Sequence, residues 1–243
     1  MTKHEHELSR KEMKGPDQFQ VAFGRVATWV ASNEKRVAWM AAGLVAVVAM
    51  GVGVSAWTGS REEKAAELLY KALEDMDGVI SSVPVPSLPA PTFKTPEEKQ
   101  RAVLAASEEV RRQYPSSAAA HTATLAAGQA HFRLGEHDQA IAAWEEYVRS
   151  AKDGDSLRFA ALDGIARAQE AKGALDQAAA TFDRLAAEAG FYRDRATLER
   201  ARVLAKAGKA DEARRILQAF PTDFKDSQLR PEAQELLARL GGA

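Results

Sequence analysis

Three glycines, Gly135, Gly173 and Gly208, stand 38 and 35 residues apart, and the residues around them fall into shared columns. Seven residues before each glycine lie Gly128, Ala166 and Ala201, and five before lie Ala130, Ala168 and Val203. Three after lie Asp138, Asp176 and Asp211, and five after lie Ala140, Ala178 and Ala213. Nine after lie Trp144, Phe182 and Leu217, and twelve after lie Tyr147, Leu185 and Phe220. A glycine ends one helix because it takes a left-handed conformation without a Cβ penalty. The aspartate then caps or opens the next helix, where its charge suits the N-terminus. Small residues on both sides let two antiparallel helices approach closely, and the large residue nine on fills the space toward the next hairpin. One such hairpin cannot bury its apolar face alone, so the repeats must stack. Composition agrees: 49 of 243 residues are alanine, a helix former, and the fold class is all-α.

Ahead of the repeats lies VAWMAAGLVAVVAMGVGVSAW, Val37 to Trp57, 21 residues without a charge. As a helix at about 1.5 Å per residue it spans about 30 Å, one hydrocarbon core, and it is read as a transmembrane helix at 37–57. Trp39 and Trp57 mark its two ends, where aromatic rings favour the interface. The competing reading is a signal peptide cleaved near Val54-Ser55-Ala56. The 36 residues before the run and its length argue against that. Seven Lys and Arg precede the run, and three follow in residues 58–77; Lys35-Arg36 abut it directly. The bias places the N-terminus in the cytoplasm and residues 58–243 across the membrane. Ala42, Ala46, Ala49 and Gly53 form a stripe of small residues along the span, a candidate packing face for another membrane helix.

Residues 1–18 are polar, contain Gly15-Pro16 and read as a flexible cytoplasmic tail. Residues 19–36 form a juxtamembrane segment with Phe19, Ala22, Phe23, Val26 and Val30 at helical spacing. It is either an amphipathic helix lying at the interface or an extension of the spanning helix into water. After the span, Arg61 to Ile80 is helical in pattern, with Ala66, Leu69, Leu73 and Met76 on one face. Residues 81–96 hold five of the nine prolines and predict an extended connecting loop. Thr95-Pro96-Glu97-Glu98 then opens a helix that runs to Tyr114.

The glycine-centred units resemble the tetratricopeptide repeat (TPR). Leu125–Val148 is the fullest match, followed by Gly164–Leu185 and Leu198–Leu217. Thr124, Leu162 and Thr197 replace the usual tryptophan, and His131, Gln169 and Leu204 replace the usual tyrosine. The helices at 61–80 and 97–114 make a degenerate first pair, and a helix around Pro231–Leu240 caps the stack. The whole layout, a single transmembrane helix followed by a TPR-like α-solenoid, resembles the YfgM-like ancillary subunits of the bacterial Sec translocon. Thr28-Trp29-Val30-Ala31-Ser32-Asn33-Glu34-Lys35 is similar to that family's aromatic–Ala–x–Asn–x–Lys lead-in to its span, with Val30 as an insertion. The resemblance implies an inner-membrane protein with a periplasmic repeat domain. Its implied partners are translocon subunits, a periplasmic chaperone and emerging polypeptides, with lipid around the span.

Catalytic chemistry finds no foothold in the sequence. There is no cysteine, so no disulfide, thiolate zinc site or thiol nucleophile. His121, His131 and His137 have no partner set at metal-ligand spacing, and no phosphate loop or nucleophile elbow occurs, so no cofactor and no enzymatic role is expected. Thirty-three basic against 34 acidic residues argue against nucleic acid. What remains is a surface. The first helix of each hairpin lines the concave side, which places Gln129, Phe132, Arg133, Arg167, Glu170, Arg195, Arg202 and Lys206 in a groove. Five of these eight are basic, complementary to an acidic partner segment. The reading is a scaffold or co-chaperone at the translocon. Two others stay open: an envelope-assembly adaptor of the same architecture, and a membrane-tethered sensor acting through the tail.

Overall fold

The computed structural model describes residues 29, 31–81, 90–152, 155–188 and 190–241. The expected tail at 1–18, the juxtamembrane residues 19–28 and the proline-rich residues 82–89 lie outside the described residues. The chain divides into two compact units, Met1–Gly59 and Ser60–Ala243.

In the first unit, the Ser32 hydroxyl and the Asn33 amide both donate to the Trp29 carbonyl at 3.0 Å, closing a turn before helix α1 (Glu34–Asp77). Side chains from Ala42 to Gly59 are all exposed, and this stretch is long and apolar enough to cross a bilayer. Such a surface is unfavourable in water and ordinary in lipid.

The second unit is a stack of helical hairpins. Its first pair is the portion of α1 from Ser60 onward and α2 (Pro96–Gln113). The Thr95 hydroxyl accepts from the Glu98 amide at 3.1 Å and Pro96 opens α2, as the sequence predicts. One expectation for the α1 portion needs correcting. The helix stops at Asp77 rather than Ile80, because Val79 and Ile80 pair in parallel with Thr92 and Phe93 as strands β1 (Val79–Ile80) and β2 (Thr92–Phe93). Gly78 makes the approach possible, since a Cβ there would lie only 2.9 Å from a Phe93 ring carbon. Of the apolar face Ala66, Leu69, Leu73 and Met76, only Leu69 is partly buried; the face turned inward is Ala65 and Ala72, fully buried, with Leu68 and Leu69 partly so. The Ala65 end of that face packs on Val110, Ala119, Ala120 and Ala123, and this contact sets the rotation of α1.

Three hairpins follow: α3 (Ala118–Arg133) with α4 (His137–Ser150), α5 (Ser156–Ala171) with α6 (Leu175–Glu188), and α7 (Arg193–Lys206) with α8 (Ala210–Asp223). Helix α9 (Arg230–Gly241) closes the end through Ala233, Leu236, Leu237 and Leu240. Gly135, Gly173 and Gly208 have φ of 76, 79 and 80°. The residue after each glycine donates five positions back: Glu136 to His131, Ala174 to Gln169 and Lys209 to Leu204, at 2.8–2.9 Å. This is the same C-terminal cap made three times, and it satisfies carbonyls the helix leaves free. The aspartates open the second helices without capping them. Asp138 and Asp176 instead reach cations of the following hairpin, Lys172 and Lys209.

The column of large residues forms the core. Trp144 is 4 % exposed, Phe182 is fully buried and Leu217 is 1 % exposed. Trp144 lies between two glycines: a Cβ on Gly128 would stand 2.5 Å from the indole nitrogen, and one on Gly164 would stand 2.8 Å from ring carbons. Glycine is required at both places because the indole occupies the space between successive first helices.

Candidate functional site

The first helices of the hairpins line one concave face. A depression of about 600 Å³ opens there. The end of α1 supplies Leu73 and Met76, α3 supplies Leu125, Gln129 and Phe132, and α5 supplies Leu157, Phe159, Asp163 and Arg167. The turn before α7 adds Phe191 and Tyr192. Its walls are mostly apolar. Phe191 is 73 % exposed and meets Phe159 edge-on at 5.5 Å between ring centroids. Leu157, Leu73 and Met76 are also exposed. Contiguous exposed apolar side chains in a concavity cost free energy in water and mark a place another molecule covers.

A second depression adjoins the first through Met76 and Gln129 and is lined by Ile80, Glu97, Lys99 and Arg133. The Lys99 ammonium donates to the Gly78 carbonyl at 2.8 Å. Arg133 is exposed and forms no ion pair among the described residues.

The eight residues expected in the groove fall into two groups. Gln129, Phe132, Arg133 and Arg167 border the two depressions. Phe132 packs against Trp144, with ring centroids 6.0 Å apart. Glu170, Arg195, Arg202 and Lys206 belong instead to an ion cluster around Glu199, whose side chain is 7 % exposed. Arg202 donates to Glu199 at 2.6 Å and to both oxygens of Glu170 at 2.6 and 2.8 Å. Arg195 lies 3.2 Å from Glu199 and 3.7 Å from Glu232, and Lys206 bonds to Glu170 at 3.1 Å. Hydrogen bonds from Arg202 hold the Glu170 carboxyl down to about 2, against the opposing effect of its burial. Arg167 is bound to Asp163 at 2.6 Å, and that bond raises its pKa. Four of the five basic residues therefore have carboxylate partners within the fold.

Sequence reasoning missed the apolar lining and the carboxylates. Helical spacing puts Leu73 and Met76 on one apolar face with Ala66 and Leu69 but does not say which way that face turns. Phe191-Tyr192 was the available signal: adjacent aromatics in a short linker, in a chain with only 7 % aromatic residues. In the first unit, Ala42, Ala46, Ala49 and Gly53 are all exposed. Among the described residues no group of His, Asp and Glu is placed to hold a metal ion.

The profile of the tetratricopeptide repeat-like domain family matches residues 28–241, which include the apolar run as well as the repeats. The chain belongs to that family. A search of curated proteins gives no match. Solved structures share the fold. A tetratricopeptide repeat protein from Parabacteroides merdae is 12 % identical with a TM-score of 0.55, over 74 % of this chain and 61 % of that one. A variant of a Podosopora anserina protein of nearly identical TPR-like repeats, of kinesin light chain type, is 18 % identical with a TM-score of 0.50, over 58 % of this chain and 77 % of that one. Stacked repeats of this family make an extended concave surface suited to holding other proteins, and this chain has the fold of such an interaction scaffold.

Proposed function

We propose that this TPR-like protein is a single-pass membrane scaffold of the bacterial envelope that holds segments of other polypeptides in its concave groove. The observation that carries the reading is the exposed apolar lining of that groove, from Leu73 and Met76 to Phe191. The uncharged, fully exposed stretch of α1 supports the anchor, and the Lys35-Arg36 pair supports a cytoplasmic N-terminus with residues 58–243 in the periplasm. The stripe Ala42, Ala46, Ala49 and Gly53 is the proposed contact with another membrane helix. The lead-in Trp29 to Lys35 supports a place beside the Sec translocon, where a scaffold would hold emerging chains or hand them to a chaperone.

Photo-crosslinking side chains at Leu157 and Phe191 in cells, followed by mass spectrometry, tests the assignment. Translocon subunits, a periplasmic chaperone or nascent exported chains are the expected adducts. Adducts confined to outer-membrane or cell-division assembly proteins would replace the translocon role with that of an envelope-assembly adaptor. Protease added to spheroplasts should degrade residues 58–243; full protection would reverse the topology.

A further inference from the structure

The groove's charges are distributed unevenly, and this bears on what it holds. In the larger depression Asp163 and Arg167 neutralise one another at 2.6 Å, so that trough is apolar and without net charge. Toward α7 the cations Arg195, Arg202 and Lys206 are bound to Glu199 and Glu170. An acidic ligand there would have to displace carboxylates already in place. The adjoining depression is different: Lys99 and Arg133 face a single carboxylate, Glu97, and Arg133 forms no ion pair among the described residues. A neutral apolar trough thus leads into a pocket with one uncompensated positive charge.

Resting on the reading of the groove as a polypeptide site, we infer that it takes a segment with two or more large apolar side chains beside one acidic side chain, which pairs with Arg133. A run of acidic residues does not fit, because Lys99 and Arg133 against Glu97 leave the pocket an excess of one positive charge. The acid belongs to an internal Asp or Glu of a continuing chain. Both depressions are open, and capture of a chain end calls for several converging donors, whereas among the described residues Arg133 alone of the expected groove cations has no carboxylate partner. The apolar side chains supply the affinity and the acid sets direction along the groove.

The test uses the full chain in detergent micelles and fluorescein-labelled peptides of about twelve residues read by anisotropy. Four peptides are compared: one with two Phe, one Leu and an internal Glu; the same with Gln for Glu; the same Gln peptide with a free terminal carboxylate in place of an amide; and one with the apolar residues changed to Ser and three Glu added. The Glu peptide should bind about threefold to fivefold tighter than the Gln peptide at low salt, the range of an exposed ion pair, and that margin should vanish in Arg133→Gln. The added terminal carboxylate should give no margin, and the acidic Ser peptide should bind weakest. Equal binding of the Glu and Gln peptides, or a margin that survives Arg133→Gln, overturns the role of Arg133. A terminal carboxylate that outperforms the internal Glu overturns the internal acid. Leu157→Ser with Phe191→Ser, checked for unchanged melting, should weaken all the apolar peptides. If it weakens none, or if no peptide binds, the groove is not a polypeptide site and both readings fall.

Discussion

The Trp144 sandwich makes a prediction that links two distant parts of the chain. Trp144 is 4 % exposed and lies against Gly128 of its own hairpin and Gly164 of the next. Trp144→Ala removes an indole from that slot and should cost about 3–5 kcal/mol, as large-to-small changes in a core do. For a domain of this size 1 kcal/mol shifts the melting temperature by about 2–4 °C, so the loss should be at least about 6 °C. Gly164→Ala places a Cβ 2.8 Å from ring carbons of Trp144, closer than carbon atoms tolerate, and should cost about 1–3 kcal/mol by overpacking. The two penalties share one cause. In the Trp144→Ala background the Gly164→Ala cost should disappear, giving a coupling of about 1–3 kcal/mol in a double-mutant cycle. Melting curves of the four proteins, followed by far-ultraviolet circular dichroism, read the cycle. Additive penalties, or a Trp144→Ala shift below about 2 °C, would refute the idea that the indole is the spacer between hairpins.

Gly173→Ala meets no neighbour but must hold φ at +79°, so it should cost about 1–2 kcal/mol, read as a lower melting temperature. Glu170 has a folded pKa of about 2 against an ordinary 4.5, and a lowered carboxylate stabilises only while ionised. Its contribution is full above pH 4.5 and is lost as pH falls toward 2, so the gap in melting temperature between wild type and Glu170→Gln should close across that window. A constant gap would mean the Arg202 bonds do not depend on its charge. Ala46→Leu with Gly53→Leu should reduce co-purification of membrane partners; full recovery would remove the small-residue stripe as a contact.

The repeat register was legible in the chain because its causes are local. A glycine at φ near +80°, a bond five residues back and a helix restarting at the next aspartate need only a dozen consecutive residues. The burial of Trp144, Phe182 and Leu217 followed from the same register, since each hairpin repeats its neighbour's geometry. The uncharged run from Val37 to Trp57 was equally plain, because it depends on composition over one helix length.

The groove was decided elsewhere. Leu73 and Phe191 are 118 positions apart, and they border one depression only after the stack has formed. Helical spacing placed Leu73 and Met76 on an apolar stripe, but not the direction of that stripe. The docking of Ala65 on Val110 and α3 turned Ala65 and Ala72 inward and left Leu73 and Met76 open. The charges divide between the two levels. Asp163 with Arg167, Arg195 with Glu199 and Glu199 with Arg202 stand three or four apart on one helix, a spacing the sequence already contains, whereas Glu170 meets Arg202 and Lys206 only once neighbouring hairpins have stacked. Capping and burial periodicity are properties of neighbouring residues, so the chain alone determined them. The helix face left uncovered and the ion pairs that cross from one hairpin to the next depend on contacts between hairpins, and only the tertiary structure brings those partners together.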